Sequence, residues 1–241
     1  MRALLLLACT GCSTVLGIDD LSGPLGADAA GDGSTTRPDG PVTPPGGILI
    51  TGTVVTGALE GVANATVELV DQPAGIPTAT TMSAGDGAFQ LVIDAMGSQF
   101  DGAALRTSAG SSSSATLVYF SGALSPDRPI TGVKVQIFGD GTVDELAAKC
   151  GLPQSPFKSA FLVFTVDAQG SSVANTPFTT SPTAAFCTER NGGFGPTTDT
   201  GPNGVAFAFD LPPGTVTVSA GLQVRSGRAE LSTVTEVLLI P

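Results

Sequence analysis

The chain of 241 residues contains no histidine and no tryptophan, a single tyrosine and only 13% charged residues. Histidine is the commonest general base, the commonest metal ligand and the usual side chain that titrates near neutral pH. Without it the chain cannot form a Ser-His-Asp or Cys-His catalytic system, a His-Glu-x-x-His zinc site or a zinc finger. We therefore expect a protein that is not an enzyme and that needs no cofactor or metal.

Positive charge is also scarce. Ten Lys and Arg residues stand against 21 Asp and Glu, which gives a formal net charge of −11, and no two basic residues are adjacent. A nucleic-acid partner requires clustered basic side chains that neutralise successive phosphates. The charge pattern therefore excludes nucleic acid as a partner.

Glycine and proline are abundant, with 32 and 18 residues, while 41% of the chain is hydrophobic. This combination is typical of a turn-rich β protein. From Ile48 onward, apolar runs of strand length alternate with Gly, Pro, Asp and Ser. Residues 65–70 alternate apolar and polar side chains, as a half-buried strand does. In residues 205–211 the large side chains alternate with small ones, which predicts that the large ones share the buried face. The fold class is therefore all-β, with a sandwich architecture.

One segment, Asp140–Gly151, has the sequence features of a short helix. Thr142 and Glu145 have the spacing of a capping box, and Lys149 suits the C-terminal end. Asp140, Asp144 and Glu145 could instead bind a cation, but capping already explains two of them.

The N-terminus has Arg2, a short apolar run and then Cys9 and Cys12. It resembles a bacterial lipoprotein signal, in which the cysteine after a small residue is diacylated and becomes the new N-terminus. The run is much shorter than the roughly 20 apolar residues that span a bilayer. The resemblance implies export, an acyl-cysteine anchor and, because Ser13 rather than Asp follows Cys12, retention in the outer membrane.

Two cysteines compete for the anchor. Cys9 has the better local match, because Leu and Ala precede it at the expected positions. Cys12 leaves an even number of cysteines in the mature chain, because Cys9 departs with the signal. We favour Cys12 and keep Cys9 as the alternative.

Residues 22–47 are almost entirely Gly, Pro, Ala, Asp, Ser and Thr, and such a segment cannot bury enough apolar surface to order itself. The spaced Asp28, Asp32 and Asp39 lack the spacing of a calcium loop. The predicted organisation is a lipoprotein-type signal segment (1–11), a disordered tether (12–46), a first β-sandwich (47–138), a connector with a short helix (139–156) and a second β-sandwich (157–241).

The two β regions repeat each other. Residues 62–67 correspond to residues 173–178, which lie 111 positions later, whereas Thr81 and Gly87 correspond to Thr198 and Gly204, 117 positions later. The second copy therefore contains six additional residues, in the loop that includes Cys187. Repeats of this length are whole domains.

The repeated motifs resemble the carboxypeptidase regulatory-like domain, a transthyretin-like or prealbumin-like β-sandwich. The resemblance rests on residues 61–67, on the Thr and Gly positions above and on Leu211 to Ala220, which follow the pattern Leu-Pro-Pro-Gly-Thr-Val-Thr-Val-Ser-Ala. The first copy lacks the Pro-Pro-Gly bend. The resemblance implies two tandem small Ig-like or transthyretin-like sandwiches in a structural or interaction role, without peptidase activity.

Cys150 and Cys187 remain as a pair in a chain that is expected to be exported, where disulfides persist. We predict a disulfide between them that stabilises the fold by about 4 kcal/mol in the loop-entropy model. Two buried free thiols, or a metal site, are the alternatives.

The predicted function is a non-enzymatic, lipid-anchored envelope protein whose two modules engage an envelope protein or matrix component. The alternatives are a ligand-binding or carbohydrate-binding module, or a histidine-independent hydrolase that uses carboxylates in the loops of the second sandwich. Asp199 and Asp210 are the carboxylate candidates, although both also suit turn caps. Residues 191–196 are Gly-rich but lack the Lys and the helix of a phosphate loop, so we interpret them as a loop tip.

Overall fold

The computed structural model describes residues 47–70, 77–94, 103–110, 113–119, 124, 129–152, 159–167, 172–230 and 232–239. Within these ranges the chain is all-β with one short helix, as the sequence predicts. The signal-like segment with Cys9 and Cys12, and the tether up to residue 46, lie outside the described residues.

The first sandwich has seven strands in two facing sheets. Strand β1 pairs in antiparallel with β4 and in parallel with β7, and the facing sheet has the order β3-β2-β5-β6. Apolar side chains from both sheets, among them Ile50, Leu69 and Leu105, form its core. The strands are β1 (Gly47–Thr56), β2 (Thr66–Val70), β3 (Pro77–Met82), β4 (Ala88–Asp94), β5 (Ala104–Ser108), β6 (Ser113–Tyr119) and β7 (Ile130–Gly139).

Helix α1 (Asp140–Lys149) follows β7 directly. The helix is where the sequence predicts it, but the capping box is wrong. The N-cap is Gly139, which has no side chain to cap with, and Thr142 already lies inside the first turn. The helix starts earlier than the box requires because the chain passes from strand to helix without an intervening loop.

The second sandwich repeats the central part of this topology. Strand β8 pairs in antiparallel with β12 and in parallel with β15, as β1 does with β4 and β7. The facing sheet has the order β14-β13-β9. The strands are β8 (Ser159–Thr165), β9 (Thr179–Ser181), β10 (Phe186–Arg190), β11 (Gly193–Thr197), β12 (Val205–Leu211), β13 (Gly214–Ala220), β14 (Gln223–Ala229) and β15 (Thr233–Leu239).

Backbone hydrogen bonds reproduce both repeat offsets. The amide of Val54 donates to the carbonyl of Gly87 at 2.8 Å, and the amide of Thr165 donates to the carbonyl of Gly204 at 2.9 Å. Both glycines have positive φ, +83° and +68°. The first member of each pair is shifted by 111 residues and the second by 117, so the sequence alignment of the two copies agrees with the structure.

A hydroxyl group also recurs at equivalent positions. Ser83 Oγ donates to the carbonyl of Val62 at 2.6 Å, and Thr200 Oγ1 donates to the carbonyl of Val173 at 3.4 Å. Each hydroxyl joins the end of one strand pair to the turn that precedes the next strand, so a short polar side chain is required at both positions.

Several strands were not predicted from the sequence. Strand β3 is rich in Thr, and β14 contains Arg, Ser and Gly instead of an apolar alternation. The Gly-rich segment is a loop tip only at Asn191 and Gly192, because Gly193–Thr197 forms strand β11 and pairs with β10. This β10–β11 hairpin contains the region in which the second copy is longer.

Strand β12 buries its side chains differently from the prediction. The small residues Ala206 and Ala208 face the sandwich core, whereas the large Phe207 and Phe209 face helix α1. A register shift between Ala208 and Leu211 turns Leu211 back into the core. Helix α1 covers the outer face of this sheet, so both faces are buried and the size alternation does not identify the core side.

A single path of nine strands runs through both sandwiches in the order β11-β10-β12-β8-β15-β6-β5-β2-β3. One face of this long sheet carries the core of the first sandwich and then the cluster under helix α1. The opposite face carries the core of the second sandwich. The two sandwiches are therefore built on opposite sides of one sheet.

No helix among the described residues has the length and apolar character needed to cross a bilayer.

Candidate functional site at the seam between the sandwiches

The seam is the parallel contact between β6 of the first sandwich and β15 of the second. Residues Thr233–Glu236 are in register with Ala115–Val118, which makes four paired positions. Each of these strands would otherwise be a sheet edge with unsatisfied backbone groups. The seam satisfies both edges at once, so it holds the two sandwiches in one relative orientation.

Glu236 lies at the centre of an apolar row that crosses the seam. Its registered neighbours are Val118 on β6 and Leu162 on β8. Farther along the same row lie Leu105 on one side and Phe207 on the other. Registered residues share a face of the sheet, so the Glu236 carboxyl lies between the core of the first sandwich and the cluster under helix α1.

Glu236 is almost completely buried, with 4% of its surface exposed. Desolvation by this burial raises the pKa of Glu236 from 4.5 to about 8. A carboxyl in an apolar environment favours its neutral form, because the ionised form loses its hydration. At neutral pH this group is therefore mainly protonated.

The opposite face of the seam carries an ion-pair network. Arg106 Nε on β5 lies 2.8 Å from Glu68 Oε2 on β2, and Arg106 Nη1 lies 3.9 Å from Glu230 Oε2 in the second sandwich. Arg228 Nε lies 4.0 Å from Glu230 Oε1. The Arg106–Glu230 pair joins the two sandwiches. The side chains of Arg106, Glu68 and Glu230 are each about a quarter exposed. The Arg106–Glu230 pair therefore contributes at most about 1 kcal/mol to the stability of the seam.

The disulfide between Cys150 and Cys187 is present, with the two Cα atoms 5.8 Å apart. Cys150 follows helix α1 and Cys187 lies on β10, so the bond fixes the connector helix to the second sandwich. Both cysteines belong to the cluster that also contains Val143, Ala147 and Leu162. The alternatives of two free thiols or a cysteine metal site do not apply.

Of the two carboxylates proposed for a hydrolase, Asp199 precedes the turn that leads into β12, and Asp210 lies next to the end of that strand. Asp199 Oδ1 instead accepts hydrogen bonds from Arg190 and from the amide of Gly201. It is a structural cap, as its turn position suggests.

Among the described residues, no three His, Cys, Asp or Glu side chains are grouped so that they could hold a metal ion. The alternative of a cation at Asp144 and Glu145 gains no support, since both are exposed on helix α1.

Neither Glu236 nor the Arg106 network was predicted from the sequence. A signal for Glu236 was available, because it is the single charged residue in the otherwise apolar or hydroxylated run of residues 231–240. No comparable signal was available for Arg106 and Glu230, which lie in separate repeats and meet only because β6 and β15 pair.

No protein-family model matches the chain. No curated protein matches it either. Among solved structures, the Bacillus anthracis TIE protein aligns with 80% of this chain and 34% of its own length, at 13% identity and a TM-score of 0.28. The streptococcal ancillary pilin aligns with 83% of this chain and 64% of its own, at 13% identity and a TM-score of 0.26. The shaft pilin SpaA from Lactobacillus rhamnosus GG aligns with 81% of this chain and 98% of its own, at 9% identity and a TM-score of 0.26.

This chain thus spans about a third of the first of these structures and just under two thirds of the second. TM-scores below 0.3 do not establish a common family or function. The all-β sandwich fold is described by the strands and pairings of this chain itself.

Proposed function

We propose that this chain is a lipid-anchored protein of the cell envelope that displays two carboxypeptidase regulatory-like β-sandwich modules in a structural or protein-binding role, without catalysis. The observation that carries the proposal is the seam, because a continuous sheet makes two small modules into one rigid body. A rigid body on a tether presents its surfaces at a defined spacing. The rival hydrolase gains no support, since Asp199 serves as a turn cap that accepts hydrogen bonds from Arg190 and from the amide of Gly201.

The anchor is tested by labelling cells with radioactive palmitate. We expect the wild-type protein to incorporate label and the Cys9→Ser/Cys12→Ser double variant to show only background. The single variants distinguish the two candidates, because Cys12→Ser alone abolishes labelling if Cys12 is the acylated residue. The Cys150→Ser/Cys187→Ser variant is the control and retains label. Label that persists in the Cys9→Ser/Cys12→Ser protein would refute the anchor.

The display surface we favour is the free edge of β3, where a partner adds a strand to the sheet. Among the described strands β3 has a pairing neighbour on one side only, and its sequence Pro-Thr-Ala-Thr-Thr-Met carries no charge. Protein edges that avoid pairing usually carry charged residues or proline, but the proline of β3, Pro77, is its first residue, so Thr78 to Met82 all keep their backbone donors. The other end of the path, β11, has Pro196 in the strand and offers one backbone donor fewer.

This docking mode is tested by capturing partners from the cell envelope with the tagged protein. We expect Thr80→Lys, on the exposed part of β3, to reduce the captured envelope component about tenfold. Ser226→Lys provides the matched control, because Ser226 is exposed on the outer face of the sheet β14-β13-β9, and it leaves capture unchanged. Equal capture by Thr80→Lys and the wild type would contradict docking at β3.

A further inference from the structure

The seam contains an ionisable group that the fold does not need. A Leu at position 236 would match the apolar side chains of Val118 and Leu162 on either side of it. Burying a carboxyl without a compensating charge costs free energy. The carboxyl lies at the joint between the two sandwiches, in a chain that has no histidine for pH sensing.

Among the residues that the structure describes, the groups that face Glu236 offer its ionised form no charge compensation. On β6 the same face carries Thr116 and Val118, and on β8 it carries Leu162, none of which is charged. Desolvation alone accounts for the raised pKa of Glu236. The charged residues of the layer above are Lys134 on β7, which is half-buried, and Asp140, Asp144, Glu145 and Lys149 on α1, of which the last three are exposed.

The remaining charges near the seam lie across the sheet. Arg106, Glu230 and Arg228 form their ion pairs on the opposite face. They hold the seam closed from that side but cannot reach the Glu236 carboxyl through the sheet.

We propose that Glu236 is the pH-responsive group of the joint between the two sandwiches, and that its ionisation releases β6 from β15. The neutral carboxyl is compatible with the apolar row and leaves the seam closed. When the carboxyl loses its proton to solvent, the carboxylate requires hydration, and separation of β6 from β15 exposes it to water.

The seam opens before either sandwich unfolds because fewer paired positions hold it than hold β6 or β15 in its own sandwich. The seam has four registered positions, whereas β15 has six with β8, and β6 has four with β5 and two with β7. Each sandwich also retains its own facing sheet and core when the seam opens. The disulfide keeps helix α1 with the second sandwich, so the motion is confined to the joint.

The direction of the pH effect on seam closure follows from the different pKa of Glu236 in the closed and open forms. The closed form holds the proton up to about pH 8, whereas the hydrated carboxyl of the open form releases it near pH 4.5. Between these values the closed form binds more protons, so the equilibrium constant for closure falls about tenfold for each pH unit. It is highest below pH 4.5 and levels off above pH 8, after a fall of roughly three orders of magnitude.

The test measures the distance between the sandwiches by paired spin labels at Thr80→Cys and Ser226→Cys, in full-length protein with Cys9→Ser and Cys12→Ser. We expect one narrow distance at pH 5 and a longer, broader distribution at pH 9, while circular dichroism shows unchanged β structure. The change reverses when the pH is lowered again. Glu236→Gln retains the narrow distance at both pH values, because the amide cannot ionise.

Glu230→Gln is the matched control, because it removes a carboxylate from the opposite face of the same seam. It shifts the closed fraction by a similar amount at every pH but leaves the pH dependence of the wild type in place. The proposal is overturned by a wild-type distance that stays constant from pH 5 to 9, by an equal response in Glu236→Gln, or by loss of β structure in step with the distance change. Amide hydrogen exchange of β6 and β15 in unlabelled protein provides a second measurement that does not depend on the label positions. The exchange rates are corrected for the intrinsic pH dependence of exchange.

Discussion

Gly87→Ala is expected to destabilise the first sandwich by at least about 3 kcal/mol, a large part of the stability of a small domain. Gly87 has φ of +83°, and a Cβ atom at this position would overlap the carbonyl oxygen of Val54 and lie 2.9 Å from the Cα atom of Gly61. The left-handed conformation costs a non-glycine residue about 1–2 kcal/mol, and displacement of a backbone hydrogen-bonded to β1 adds to this cost. Chemical denaturation followed by circular dichroism measures the change.

Gly110→Ala separates the two causes, since Gly110 has φ of +65° but no atom within 4 Å of the added Cβ. We expect this variant to lose about 1 kcal/mol, the conformational cost alone. Gly204→Ala, at the equivalent turn of the second copy, is expected to lose stability as Gly87→Ala does, because its Cβ would lie 2.9 Å from the carbonyl oxygen of Thr165. Equal losses for Gly87→Ala and Gly110→Ala would show that the close backbone approach has no energetic consequence.

Reduction of the Cys150–Cys187 disulfide is expected to lower the stability of the second sandwich by about 4 kcal/mol. The bond closes a loop with a sequence separation of 37, and a loop of that length in the unfolded chain loses conformational entropy of this size. For a protein of this length the loss corresponds to a fall in Tm of roughly 10 °C. Thermal unfolding with and without a reductant measures it, and no atom of the core is removed.

The control is the Cys150→Ala/Cys187→Ala variant, whose Tm does not respond to the reductant. Its stability in the absence of reductant is slightly below that of the reduced wild type, because Cys187 is fully buried and its sulfur leaves a small cavity. A reduced wild type that melts at the temperature of the oxidised protein would show that helix α1 is held by packing alone.

The internal repeat was the most informative feature of the sequence. Its offsets of 111 and 117 residues reappear in the hydrogen bonds of Val54 with Gly87 and of Thr165 with Gly204. Turn glycines with positive φ leave a residue-specific signal that can be aligned without structure. The strands with regular apolar alternation, such as β2 and β4, were predicted for a related reason, because one of their faces meets water and the other a core.

Strands that do not follow this pattern were missed or misjudged. In β12 both faces are covered, one by the sandwich core and the other by helix α1, so Ala208 and Phe209 are buried on opposite sides. In β3 the edge position removes the need for apolar side chains. The periodicity of a strand reports the contrast between its two faces, and it becomes uninformative when both faces are buried or when neither is.

The sequence by itself determined the all-β class, the duplication and the position of the connecting helix, because turns and local periodicity are encoded over short distances. It predicted the disulfide between Cys150 and Cys187, and the structure excluded the alternatives. The absence of histidine is likewise known from the sequence alone. Only the tertiary structure decided that β15 pairs with β6 and that Glu236 lies buried beside Leu162. Strand pairing between distant segments depends on which edges remain free after each sandwich has formed, and that is a property of the assembled sheets.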